Sequence, residues 1–286
     1  MDFIVKSKIE PKVEFLPEEN LTNITCPRNS EGTINVVVDI EYNLHLLIEE
    51  NAHWTINIEY VNGLIKSNNI IEVKEYASLK HNIICYDSIY ELNANQTINI
   101  ANSGEYTSAL LDVSENNVNF TNNINLNGEY ASSYFRSAVV SSKVGKKLYE
   151  IATLNNAMYT SSKMDNYGVC KENSKLEFKG IGTIKKGFKQ SNNHQNSKII
   201  VFDELSNASV YPLLYIDEYD VLASHSAAVG KVNDEHMYYL CSRGISEDQA
   251  REFITMGYLL PVLDYFKDQD IKEKAQATLE RRVIHA

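Results

Sequence analysis

The dominant pattern along this chain has period two. Ile34, Val36, Val38, Ile40 and Tyr42 alternate with Asn35, Val37, Asp39 and Glu41, and Trp54, Ile56, Ile58 and Tyr60 alternate with Thr55, Asn57 and Glu59. Such alternation predicts β-strands with one buried and one solvated face. A signature recurs within them: Thr33-Ile34-Asn35-Val36, Thr55-Ile56-Asn57-Ile58, Thr97-Ile98-Asn99-Ile100 and, more loosely, Asn123-Ile124-Asn125-Leu126. The starts at 33, 55, 97 and 123 lie 22, 42 and 26 residues apart, and Gly104-Glu105-Tyr106 returns 24 residues later as Gly128-Glu129-Tyr130. With 42 read as two coils of 21, this is the spacing of a solenoid.

Strands and turns at this period, with no helical pattern between them, predict an all-β core of the parallel β-helix type. One coil cannot bury its inward side chains alone, whereas stacked coils close a continuous core and pair each other's backbone groups. Asn, Ser and Gly then belong mainly at the corners, where left-handed backbone and side-chain to backbone hydrogen bonds are useful. A β-sandwich also has short alternating strands separated by turns and is the alternative architecture.

The pattern changes after Pro212–Asp217. Asn233 caps a predicted helix that carries Met237, Leu240 and Cys241 on its apolar face and stops at Gly244. Ser246 with Gln249 forms a capping box for a second helix bearing Ala250, Phe253 and Ile254, ended by Gly257 and Pro261. A third helix, starting near Asp270, has Ile271, Ala275, Leu279 and Val283 on one side. The chain therefore divides into a short N-terminal segment (1–30), a β-helix core (31–222) and a small C-terminal α-helical domain (223–286).

Charge narrows the function. The 27 Lys and Arg against 38 Asp and Glu give a net charge of -11, which opposes attraction to nucleic acid or anionic lipid. Asp2, Lys6, Lys8 and Glu10 interrupt any signal-peptide core, and no stretch approaches the roughly 18 apolar residues of a membrane span, so the expected compartment is the cytoplasm. Five Asn-x-Ser/Thr sequons are accordingly discounted. The four cysteines, Cys26, Cys85, Cys170 and Cys241, are far apart and form no CxxC pair, which argues against a zinc site. Cys85 and Cys241 sit in apolar surroundings and are expected to pack in cores. Cys26 and Cys170 are flanked by polar residues and are expected to be the freer thiols.

Several ordered motifs resemble the SufB/SufD family of iron-sulfur cluster assembly proteins. The run Ala223-Ser224-His225-Ser226-Ala227-Ala228-Val229-Gly230, then Tyr238-Tyr239-Leu240, Ser242-Arg243-Gly244-Ile245 and Gly257-Tyr258-Leu259 are similar to that family's C-terminal signature. Upstream, Gly180-Ile181-Gly182, Lys186-Gly187, Gln195-Asn196-Ser197 and Pro212 to Asp217 are similar to its final coils. The resemblance covers roughly residues 175 to 265. It implies a right-handed parallel β-helix, dimerisation through that helix with a SufB-like partner or with itself, and binding of SufC, an ABC-type ATPase, through the C-terminal helices. SufB proteins carry a cysteine around Asn196 to Lys198 and a Glu directly after the histidine. Here there is no such cysteine and Ser226 follows His225, so the chain looks more like SufD, in a form lacking the long N-terminal helical region.

Within this resemblance His225 is the candidate residue for a transient or partner-shared iron-sulfur cluster, since neutral imidazole binds transition metals well. Its alternative role is to fix the strand-to-helix turn by hydrogen bonds. Tyr238, Arg243 and Phe253 are the candidate partner-binding residues, Tyr and Arg being enriched at interface hot spots. No phosphate loop, nucleophile elbow or HExxH motif is present, so the chain is read as non-enzymatic, with nucleotide bound by another subunit. Two other readings stay open: a structural pairing module without cofactor, and a polysaccharide-active β-helix enzyme, which would normally align carboxylates along adjacent coils.

Overall fold

Alternating strands that cannot bury their inner faces alone are stacked into a parallel β-solenoid. The structure, a computed structural model, describes residues 2–284. The chain enters through β1 (Asp2–Ser7), β2 (Lys12–Leu16) and β3 (Leu21–Cys26). The coils continue through β4 (Glu31–Val38), β5 (Tyr42–Ile48), β6 (His53–Tyr60), β7 (Gly63–Val73), β8 (Ser78–Cys85), β9 (Ile89–Ile100) and β10 (Glu105–Asp112). They end with β11 (Asn117–Leu126), β12 (Ser132–Ser141), β13 (Lys146–Asn155), β14 (Ser161–Cys170), β15 (Lys175–Ile184), β16 (Asn192–Val201), β17 (Asn207–Ile216) and β18 (Leu222–Lys231). From β4 on, even-numbered strands form one sheet and odd-numbered strands the other. Each sheet has nine strands, the first being completed by β1 and the second by β3 and β2. The contacts of β1 with β4 and β2 with β3 are antiparallel, and the later pairs are parallel.

Residues 1–30, expected to precede the solenoid, thus supply its first strands, and the strands continue past residue 222 to Lys231. The recurring signature marks true neighbours in two cases: Thr33 to Val36 lie in register with Thr55 to Ile58, and Thr97 to Ile100 with Asn123 to Leu126. The step from 55 to 97 is not two coils. It crosses from the even sheet to the odd one. Nor are the two Gly-Glu-Tyr runs equivalent, since Tyr106 is buried in the lumen and Tyr130 lies exposed at a corner. A fixed period fails because the coils lengthen, from 22 residues between stacked Asn35 and Asn57 to 31 between Thr160 and Ser191.

Asparagine has a second role besides the corner one expected of it. Asn35, Asn57 and Asn82 form an amide ladder along one sheet, with steps of 2.7 and 2.8 Å, and Asn43, Asn68 and Asn95 form another. Corners do use left-handed backbone: Asn29, Asn51, Tyr76, Ser103, Tyr130, Tyr159 and Gln190 all have positive φ. Each donates its N–H to a carbonyl on the following coil, so the turns are paired as the strands are.

A second apolar core lies outside the lumen. Ile84, Ala109, Leu111, Ala138, Val140 and Val169 point outward from β8, β10, β12 and β14 and are buried. Covering them are α2 (Glu247–Leu259), a 3₁₀ segment (Leu260–Tyr265) and α3 (Gln269–Ile284), the last through Ile271, Ala275, Leu279 and Val283 as its spacing predicts. These strands are apolar on both faces, hence the unbroken runs Ala109-Leu110-Leu111 and Ala138-Val139-Val140. The Ser246–Gln249 capping box is present. Gly257 does not end α2: it stays within the helix, which runs to Leu259 before Pro261 tightens the chain into the 3₁₀ segment. Among the described residues no helix is long and apolar enough to cross a membrane.

The lumen also holds a charged pair. Lys147 Nζ donates to Asp112 Oδ2 at 2.7 Å, to the Ser114 and Val140 carbonyls at 2.8 Å each, and to Ser114 Oγ at 3.0 Å. Asp112 also accepts from the Tyr149 hydroxyl and from the Ser114 N–H and hydroxyl. Both partners are fully buried, and desolvation depresses the Lys147 pKa, opposed by the Asp112 charge. Elsewhere in the lumen His81 has its pKa pushed down to about 3 by burial and is therefore neutral. Because a buried carboxylate stripped of its cation keeps its desolvation cost, Lys147→Met is expected to destabilise the fold by about 3–5 kcal/mol. Urea denaturation measures this, and an unchanged midpoint would show that the lumen is wet enough to solvate Asp112.

Candidate functional site

The solenoid ends without a further coil. β17 and β18 are the terminal strands of the two sheets, and every residue of β18 is exposed. His225 lies inside this last strand, paired with Gln195, rather than in the strand-to-helix turn expected for it. The register continues inward through Phe135, Met164 and Gln195, all buried, so His225 stands at the top of a lumen-facing column. Ser226, in register with Asn196 and Asp165, belongs to the outer face.

Beneath the open mouth the lumen becomes polar. Gln195 Nε2 donates to the Leu213 carbonyl at 3.0 Å, and Asn193 Nδ2 donates to Thr153 Oγ1 at 2.9 Å and Asn155 Oδ1 at 3.1 Å. The amide oxygens of both side chains are buried without a protein partner. Room for them comes from the facing strand: a Cβ on Gly182 would stand 2.3 Å from Asn193 Oδ1, and one on Gly180 2.9 Å from Gln195 Oε1. This explains physically why Gly180-Ile181-Gly182 occurs in a strand, where glycine otherwise weakens pairing.

The chain leaves β18 into α1 (Asp234–Ser242), capped by Asn233 Oδ1, which accepts from the Glu235 and His236 N–H groups. Gly244 at φ +88° closes the helix, its N–H bonded to Cys241 O and that of Ile245 to Leu240 O. This is a Schellman ending. No residue of α1 is fully buried. Met237 and Leu240 are half-buried, but Cys241, expected on the inner face, is exposed. Tyr238 is 78% exposed and Phe253, on α2, 54%. Arg243 is exposed, its guanidinium 5.3 Å from the centre of the Tyr239 ring. Tyr239, also exposed, is part of the Tyr238-Tyr239-Leu240 motif but was not among the candidate contacts, although its place four residues before Arg243 was a usable signal. No hydrogen bond, ion pair or ring contact among the described residues joins His225 to Tyr238, Arg243 or Phe253.

The thiols reverse the expectation in three of four cases. Cys26 and Cys170 are buried, Cys241 is exposed, and only Cys85 packs as anticipated. Cys26 and Cys170 end strands whose alternation turns them inward, so polar sequence neighbours mark only the outer face. Burial raises the pKa of Cys26, Cys85 and Cys170, which keeps them protonated and poor nucleophiles or ligands. Among the described residues no three His, Cys, Asp or Glu side chains converge as a metal site. A cluster held at His225 would thus take its remaining ligands from elsewhere.

Residues 34–258 match the family described as "SUF system FeS cluster assembly, SufBD core domain". The chain is 36% identical to the iron-sulfur cluster assembly protein SufD of Bacillus subtilis over 117 residues, 41% of this chain and 27% of that protein. It is 30% identical over 109 residues to a SufBD-family protein of Mycobacterium leprae, covering 38% of this chain and 12% of the relative. A SufBD-family protein of Staphylococcus saprophyticus is 30% identical over 108 residues, 38% of this chain and 23% of the relative. The matched stretches thus span less than a third of these longer proteins.

The burial of the thiols sets a direct check. In the native protein a small alkylating reagent is expected to modify Cys241 rapidly, with Cys26, Cys85 and Cys170 reacting only after unfolding. Peptide mass spectrometry reads each site, and fast native labelling of Cys26 or Cys170 would mean that the ends of β3 and β14 open readily.

Proposed function

Because the chain belongs to the SufB/SufD family of SUF-system iron-sulfur cluster assembly proteins, we propose that it is a cytoplasmic, non-enzymatic scaffold subunit of such a complex. It pairs through the open C-terminal end of its solenoid with a SufB-like chain or a second copy of itself. It binds a SufC-like ABC ATPase through its C-terminal helices. The observation that carries this reading is β18, a full-length strand with an unpaired edge and no buried residue. Exposed edges of this kind are normally covered or paired. Strand pairing there would bring His225 to the junction between two chains, where a partner supplies the further ligands that this chain lacks. The iron-sulfur cluster is cargo, held transiently at the junction.

A structural pairing module without cluster chemistry is the second reading, favoured by the finding that among the described residues no three ligating side chains converge. His225→Ala separates the two. The scaffold reading expects less iron and sulfide in the complex purified without air, with the melting temperature and the mass by light scattering unchanged. Equal cluster content would favour the pairing module.

The ATPase contact has its own test. Tyr238→Ala, Arg243→Ala and Phe253→Ala are each expected to weaken co-purification of the ATPase, by about 1 kcal/mol or more where the residue is a hot spot. Since all three side chains are exposed, thermal stability should change little. Full affinity in all three variants would move the contact off these helices.

A further inference from the structure

Among the described residues, the opposite end of the solenoid also shows unpaired strand edges. β1 and β2 are the outermost strands there, each paired on one side only. In register, Val13 lies opposite Ile24 and Phe15 opposite Thr22, whose side chains face the lumen and are buried. Val13 and Phe15 therefore extend the lumen column one strand further, yet they are 44% and 55% exposed. Phe3 and Val5 do the same on β1, in register with Val36 and Ile34. An apolar end row beside an unpaired backbone edge is a template for strand addition.

The outward side chains of β2 identify what is added. Lys12 and Glu14 flank Val13 on the other face of the strand, and among the described residues neither is engaged with another side chain. In an antiparallel pair of two β2 strands centred on Val13, Lys12 of each copy stands opposite Glu14 of the other, and Val13 opposite Val13. Sliding the register by two residues one way sets Glu14 against Glu14, and the other way Lys12 against Lys12. A shift by one places apolar side chains opposite polar ones on the wrong face. The Val13-centred register thus joins opposite charges and keeps Val13 and Phe15 on the lumen side, with Val13 opposite Val13 and Phe15 opposite Pro11. Lysine on an edge strand ordinarily guards it; here glutamate two residues on answers it in a second copy.

We propose that this end is a self-association surface, where two copies of the chain join head to head through antiparallel β2–β2 pairing about a two-fold axis. The contact is isologous, as a two-fold demands. It lies at the far end of the solenoid from β18, so it does not depend on the C-terminal pairing proposed above.

The experiment uses the full chain with the C-terminal end blocked by Ala227→Glu and Val229→Glu, both on exposed β18. This parent is expected to sediment as a dimer. Adding Lys12→Glu alone, or Glu14→Lys alone, puts like charges opposite at two symmetry-related places and is expected to raise the dimer dissociation constant roughly tenfold. Mixing these two single variants restores association as a heterodimer, and combining both changes in one chain restores the homodimer. As an independent readout, Val13→Cys with Cys241→Ser is expected to cross-link to a covalent dimer with oxidised glutathione. A monomeric parent, single variants as dimeric as the parent, a mixture that stays apart, or no cross-link each overturns the proposal. None of these results touches the C-terminal reading, which is tested in the unblocked chain.

Discussion

A coil of this protein satisfies its backbone only through its neighbours. Each strand's N–H and C=O groups point along the solenoid axis, and even the corner residues with positive φ bond to the next coil. Unpaired backbone groups are costly wherever water is excluded. Interior coils are therefore closed by construction and the terminal ones are not. The positions of exposed strands, of the candidate ligand and of the charged edge all follow from where that pairing stops.

The same constraint explains the composition of the lumen. Coils that lengthen toward the C-terminal end change the space enclosed, and the side chains change with it. Ile, Val and Leu dominate the first coils, polar side chains such as Asn69, His81 and Gln96 enter from β7 on, and Asn155, Asn193 and Gln195 occupy the later coils against Gly180 and Gly182. Buried amides hold only where donors and acceptors are near, and here they are largely supplied by other lumen side chains and strand carbonyls. His225 sits on this polar stack rather than on an apolar core.

Much of the fold was legible because period-two alternation and repeated strands are local signals. Thr33–Val36 and Thr55–Ile58 predicted a stacked pair that the register contains. The helix caps at Asn233 and Ser246 were equally local. What failed was long-range. Sheet membership cannot be read from a motif that occurs in both sheets, as at 55 and 97. The thiols were misplaced because a residue's exposure at a strand end depends on the facing coil, and in α1 on whether anything packs beneath the helix. His225 was identified through family resemblance, but its position within β18 required the pairing with β16.

Helix α3 lies across coils rather than along one of them. Lys274 reaches Glu59 at 2.6 Å, Arg281 reaches Asp87 at 2.5 Å, Arg282 contacts Glu115 and Ser142, and Lys171 donates to the Arg282 carbonyl. These partners sit on successive turns of the solenoid. A stacked repeat left to nearest-neighbour contacts can fray from either end, one unit at a time. A splint fastened to five consecutive turns removes that freedom from the middle and makes those turns melt as one block. β17 and β18 lie beyond its reach, so the last strands of the solenoid are held by nearest-neighbour contacts and not by the splint.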